Sequence, residues 1–167
     1  MKAIAVMVAA LLITGCEKQK NDDVLTQLPY GKWVHIENKD ELTDIKTSST
    51  VLKSFPVSDG NLSPVEMHFR CAEGKLDFYL SWNRYVGSDP LVDTRIDSDP
   101  HQPNTWGSST NGKSTFYPFF NAAYLDRLAS STSYIARVSA PGRDITAKFD
   151  TTKLQKETKN IREECKI

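Results

Sequence analysis

Between residues 65 and 82 the chain alternates apolar and polar positions almost without a break. Val65, Met67, Phe69 and Cys71 are separated by Glu66, His68 and Arg70; after Glu73-Gly74 come Leu76, Phe78, Leu80 and Trp82, separated by Asp77, Tyr79 and Ser81. A period of two is the signature of a half-buried strand. A two-residue turn at Glu73-Gly74 then fixes the register: Cys71 opposite Leu76, Phe69 opposite Phe78, Met67 opposite Leu80, Val65 opposite Trp82. All eight side chains fall on one face, and a slip of one residue would expose half of them. This hairpin is expected to be the centre of the core.

The rest of the pattern is also β-rich. Residues 33–37 follow the turn signal Pro29-Tyr30-Gly31, and residues 42–55 are dense in β-branched side chains, reading as one long strand or two with a bend. Pro56, Asp59-Gly60 and Pro64 mark a loop. Residues 91–97 form a strand stopped by Asp99-Pro100. Asn111-Gly112 is a tight-turn signal joining 105–110 to 113–117. Residues 133–139 and 144–149 are strands joined by Pro141-Gly142. Two helices are expected. In residues 119–129 Phe120, Tyr124 and Leu128 share a face. In residues 151–164, with N-caps offered by Asp150 and Thr151, the stripe runs Leu154, Thr158, Ile161 and on to Cys165. The expected fold is therefore mainly β, an antiparallel β-sandwich with two short helices, in one domain spanning 30–167.

The first residues follow a different pattern. After Met1-Lys2, residues 3–13 are wholly apolar, which suits the core of an export signal and is too short to span a bilayer. Ile13-Thr14-Gly15-Cys16 has the form of a lipobox. Residues 1–15 are thus expected to be a lipoprotein signal peptide, with Cys16 carrying a covalent lipid as the first mature residue. Two or three acyl chains hold a protein stably to a membrane where one does not. Glu17, in place of a retention aspartate, favours the outer membrane facing the periplasm. Residues 16–29 read as a lipidated flexible tether.

Composition adds two points. The whole chain has 21 basic and 21 acidic residues. Without Lys2 the mature chain is nearly neutral, which gives no case for nucleic acid. With Cys16 lipidated, Cys71 and Cys165 remain as an even pair in an oxidising compartment. The hairpin register turns Cys71 to the core and the helical stripe turns Cys165 to the buried side of the last helix, so a disulfide stapling the C-terminal helix is expected.

No catalytic constellation stands out. His35, His68 and His101 lack metal-ligand spacing. Asp93, Asp97 and Asp99 cluster near His101, but without the spacing of a calcium loop. None of the serines lies in a nucleophile motif, and Glu66, Asp77 and Asp89 read as surface carboxylates. No metal and no cofactor beyond the lipid is expected, and no enzymatic activity. The aromatics say more. Tyr79 lies on the face of the hairpin opposite the core, beside His68 and Arg70. Tyr85 and Trp106 sit in or near loops, beside Asn83 and Arg84. Tyr79, Arg84, Tyr85 and Trp106 form the candidate binding surface.

The segments Phe69-Arg70-Cys71, 76–89, 94–99, 105–118, 134–140, 145–154 and 161–165 follow one another in an order that resembles the TagO/VasI-type family of type VI secretion-associated proteins. Trp106, Ser109, Thr110, Gly112 and Phe116 make up the tryptophan-led stretch of that pattern. Members usually have a cleavable signal or a longer N-terminal portion, whereas this chain is short and lipidated. The resemblance covers residues 65–165 and implies the fold and the disulfide; the family carries no established catalytic residues. Function is then expected to be a non-enzymatic envelope adaptor that binds an envelope protein, accessory to type VI secretion. The alternatives are an inhibitor or exclusion lipoprotein borne by a prophage or plasmid, and an envelope hydrolase.

Overall fold

The computed structural model describes residues 29–56 and 64–167. The export signal, Cys16 and residues 17–28 lie outside the described residues, as does most of the loop expected at 56–64. Among the described residues eleven strands form two antiparallel sheets. The first has the order β1-β2-β4-β5-β9-β8 and the second β3-β11-β10-β6-β7. The strands are β1 (Trp33–Lys39), β2 (Lys46–Lys53), β3 (Phe55–Pro56), β4 (Glu66–Ala72), β5 (Lys75–Ser81), β6 (Leu91–Ile96), β7 (Gln102–Thr105), β8 (Gly107–Ser108), β9 (Ser114–Phe116), β10 (Ser133–Ala140) and β11 (Arg143–Asp150).

The hairpin β4–β5 has the register that alternation predicts, with Cys71 opposite Leu76, Phe69 opposite Phe78 and Met67 opposite Leu80. Glu73 and Gly74 have φ of 51° and 74°, the left-handed pair of a two-residue hairpin turn. From these strands Met67, Phe69, Phe78 and Leu80 reach across to Val92, Tyr134, Ala136, Val138, Ala147 and Phe149 of the second sheet. The Phe78 and Tyr134 rings meet edge to face with centroids 5.8 Å apart. Such pairs add to area burial, and the two inner faces together form the sandwich core.

The long strand expected at 42–55 is shorter and divided. Asp40 Oδ1 accepts from the backbone N–H groups of Leu42 and Thr43, making a side-chain-closed turn that delays β2 to Lys46. After Lys53 the chain leaves the first sheet, and β3 pairs with β11 in the second.

Among the described residues three short helices stand where two were expected: α1 (Ala122–Ala129), α2 (Leu154–Glu157) and α3 (Lys159–Cys165). Asn121 caps α1 by accepting the Tyr124 backbone N–H at 2.9 Å. The single helix expected at 151–164 is interrupted at Thr158, whose φ of −94° and ψ of 4° leave the helical region. Its hydroxyl donates back to the Leu154 carbonyl at 2.8 Å, a local bond that competes with the regular helix ladder. The expected stripe survives the break: Leu154, Thr158, Ile161 and Cys165 are all buried. Cys165 is bonded to Cys71 with Cα atoms 5.8 Å apart, which staples α3 to the central hairpin across 94 residues of sequence.

Candidate functional site

The four aromatic and basic residues expected to share a surface lie in different environments. Trp106 is fully buried, so it is no part of a surface. The reason is topological. The hairpin expected from 105–110 begins only at Gly107, because Gln102–Thr105 pairs with β6 in the second sheet while Gly107–Ser108 pairs with β9 in the first. Trp106 is the crossover residue between sheets, and its ring drops into the core between Phe78 and Tyr117, at centroid distances of 5.7 and 5.1 Å.

Tyr79 does lie on the outer face of the first sheet, beside His68 and Arg70. Strand pairing lines up Val34, Val51, His68, Tyr79 and Phe116 as one rung across five strands. The His68 and Tyr79 rings stack at 4.5 Å with 9° between their planes, and Phe116 follows at 4.9 Å from Tyr79. The Arg70 guanidinium stands 5.5 Å from the Tyr79 centroid and 5.9 Å from that of Phe116, and it pairs with Asp77. Burial raises the Tyr79 hydroxyl above its ordinary pKa, with Arg70 opposing the rise. Alternation places Glu66 and His68 outward, yet both are buried. Here β4 is interior to the sheet, and His68 is enclosed between Val51 and Tyr79 on its rung. The rung could not be read locally, since it joins strands from three separate stretches of chain.

Tyr85 is the exposed member of the set, at 56%. It belongs to the loop after β5, which docks on the β8–β9 turn through a hydrogen bond from Val86 N–H to the Gly112 carbonyl at 2.8 Å. Gly112 has φ of +63°, and a Cβ there would lie 2.5 Å from Tyr85 Cε2. Only glycine lets the ring rest on that backbone. Arg84 is half-buried beside it, and the neighbouring Asn83 side chain donates to the Pro64 carbonyl. The result is an aromatic side chain held in place yet open to solvent. Such rigid, amphipathic contacts suit recognition, because little side-chain freedom is lost on binding.

The acidic cluster near His101 is taken apart by the fold. Asp99 pairs with Arg127 at 2.7 Å, and Asp93 pairs with His101 and Arg137 at 3.0 Å each. Asp97 Oδ1 accepts from the Thr132 hydroxyl and from the backbone N–H groups of Thr132 and Ser133. Among the described residues no group of three or more His, Cys, Asp or Glu side chains is placed to hold a metal. Glu66 and Asp77 lie two rungs apart on β4 and β5, each facing a cationic or imidazole side chain.

The Thr132 hydroxyl, followed by the backbone donors, holds the Asp97 carboxyl below its usual range. A carboxylate depressed in the folded state adds stability that is present above its unfolded pKa of about 3.9 and is lost as pH falls through the folded value. Asp97→Asn is therefore expected to flatten the acid limb of a melting-temperature profile below about pH 4. Thermal unfolding across a pH series checks this, and an acid limb as steep as wild type's would refute it.

Comparison with family models, with curated proteins and with solved structures finds no match to this chain. Fold and site together define the class: a disulfide-stapled antiparallel β-sandwich presenting one pinned loop tyrosine and an aromatic–arginine rung. Among the described residues no helix is long and apolar enough to cross a membrane.

Proposed function

We propose that the protein is a lipid-anchored envelope lipoprotein whose sandwich acts as a non-enzymatic binding and adaptor module, accessory to type VI secretion. The observation that carries the binding role is Tyr85, exposed beside Arg84 and seated on the Gly112 backbone. The Cys71–Cys165 bond supports the location, since disulfides persist in oxidising compartments. The lipobox at residues 13–16 supports the anchor, and Glu17 supports sorting to the outer membrane with the domain in the periplasm. The order of segments resembling TagO/VasI-type proteins supports the secretion role. The lipobox serves equally a second reading, an exclusion or inhibitor lipoprotein, and the identity of the captured partner separates the two.

Cys16→Ser is expected to abolish labelling by palmitate analogues and release the protein from membranes. Cross-linking in envelopes is expected to recover a discrete protein partner. Tyr85→Ala should weaken that capture about tenfold, the worth of a good aromatic anchor, with no change in melting temperature. Persistent lipid labelling of the serine variant would overturn the anchor. Turnover of peptidoglycan or lipid by the purified protein would replace the adaptor reading with an enzymatic one.

A further inference from the structure

The outer face of the second sheet carries an arrangement that the binding loop does not use. Pairing of β11, β10 and β6 sets Lys148, Ile135 and Arg95 on one rung, and Thr146, Arg137 and Asp93 on the next. A depression of about 310 Å³ opens over these rungs, floored by Ile135 and bordered by Asp93, Arg95, His101 and Arg137.

Its charge is one-sided. Among the described residues Asp93 is the one acid lining it, and both carboxylate oxygens are engaged: Oδ1 accepts from His101 Nδ1 at 3.0 Å and Oδ2 from Arg137 Nη2 at 3.0 Å. Because the carboxylate can only accept, the proton sits on His101 Nδ1, and the largely exposed ring keeps Nε2 for another partner. Arg137 has five N–H donors and uses one on Asp93. Arg95 is exposed and has no ion pair among the described residues. Asp93 thus orients Arg137 and His101 without cancelling Arg95, leaving an excess of positive charge around Ile135.

We infer that this depression binds a phosphate-bearing ligand, with Arg95 and Arg137 as the paired guanidinium donors. Guanidinium forks match phosphate oxygens two at a time, and an anion there gains charge-assisted hydrogen bonds. The phosphate could belong to a soluble phosphomonoester or to a lipid headgroup. The Ile135 floor suits the carbon skeleton attached to it.

The test is calorimetric titration of the full chain in neutral detergent at low ionic strength, with glycerol phosphate and with micelles of short-chain phosphatidylglycerol. Saturable binding of both is expected for a site that reads the phosphate group itself; binding of the micelles alone would assign the headgroup as the source. Arg95→Ala should weaken binding about tenfold, the worth of one charged hydrogen bond. If circular dichroism shows that variant unfolded, Arg95→Lys, which keeps the charge and loses the fork, should weaken it too. Asp93→Asn should tighten binding by removing the competing carboxylate. No saturation by about 10 mM of either ligand, or affinity indifferent to Arg95, would overturn the assignment.

Discussion

Replacing Cys71 by serine lowers the melting temperature sharply, and the double change with Cys165→Ser lowers it by about the same amount. Either variant removes the same bond, which joins α3 to the central hairpin over a separation of 94 residues. Restricting so long a loop in the unfolded chain accounts for about 4–5 kcal/mol in the loop-entropy model, against a total stability of about 5–15 kcal/mol. Ile161 and Leu76 pack around the bond, so its loss also loosens a small apolar cluster at the end of the sandwich. Reductant added to wild type should reproduce the shift and leave the double variant unaffected. Two free thiols in a non-reduced digest of exported protein would refute the staple. In cells the single variant fares worse than the double, because its orphan thiol can bridge to other chains.

Trp106→Ala should cost nearly as much, about 3–5 kcal/mol, which corresponds to roughly 10 °C or more in melting temperature. The side chain is fully buried where the chain passes between sheets, in contact with Phe78 and Tyr117, and its backbone N–H is tied to the Pro90 carbonyl at 3.1 Å. The indole N–H has no partner among the described residues, so Trp106→Phe removes an unsatisfied donor while keeping an aromatic ring, and should cost far less than alanine. A surface role predicts the reverse for alanine: unchanged melting with lost partner capture. Thermal unfolding of the two variants beside Tyr85→Ala separates an interior side chain from a contact residue. An unchanged melting temperature for Trp106→Ala would contradict its placement.

These substitutions sort residues that look alike in the sequence. Tyr85 and Trp106 both sit in polar, loop-like surroundings, and local pattern has no means of telling them apart. What distinguishes them is which sheet the neighbouring strand joins. That choice depends on the pairing of Gln102–Thr105 with β6, a partner set by the tertiary arrangement of the sheet. The acidic cluster behaves the same way. Asp93, Asp97 and Asp99 are close in sequence, but alternation along β6 and the turn after it send them to three different partners.

The amino-acid sequence alone determines what depends on short-range periodicity. The β4–β5 register follows from alternation about Glu73-Gly74, because only one pairing buries all the apolar side chains together. The buried stripe Leu154–Thr158–Ile161–Cys165 follows from helical spacing even though the helix is broken in two, since the break preserves the direction in which those side chains point. Cys71 and Cys165 could therefore be matched from two independent local patterns. Tertiary structure alone decides the features assembled from distant strands. These are the five-strand rung through His68 and Tyr79, the seat of Tyr85 on Gly112, the burial of Trp106, and the basic depression over Ile135. Each requires knowing which strands lie side by side, and in a sandwich that is set by the packing of two whole sheets against each other, a property no window of neighbouring residues contains.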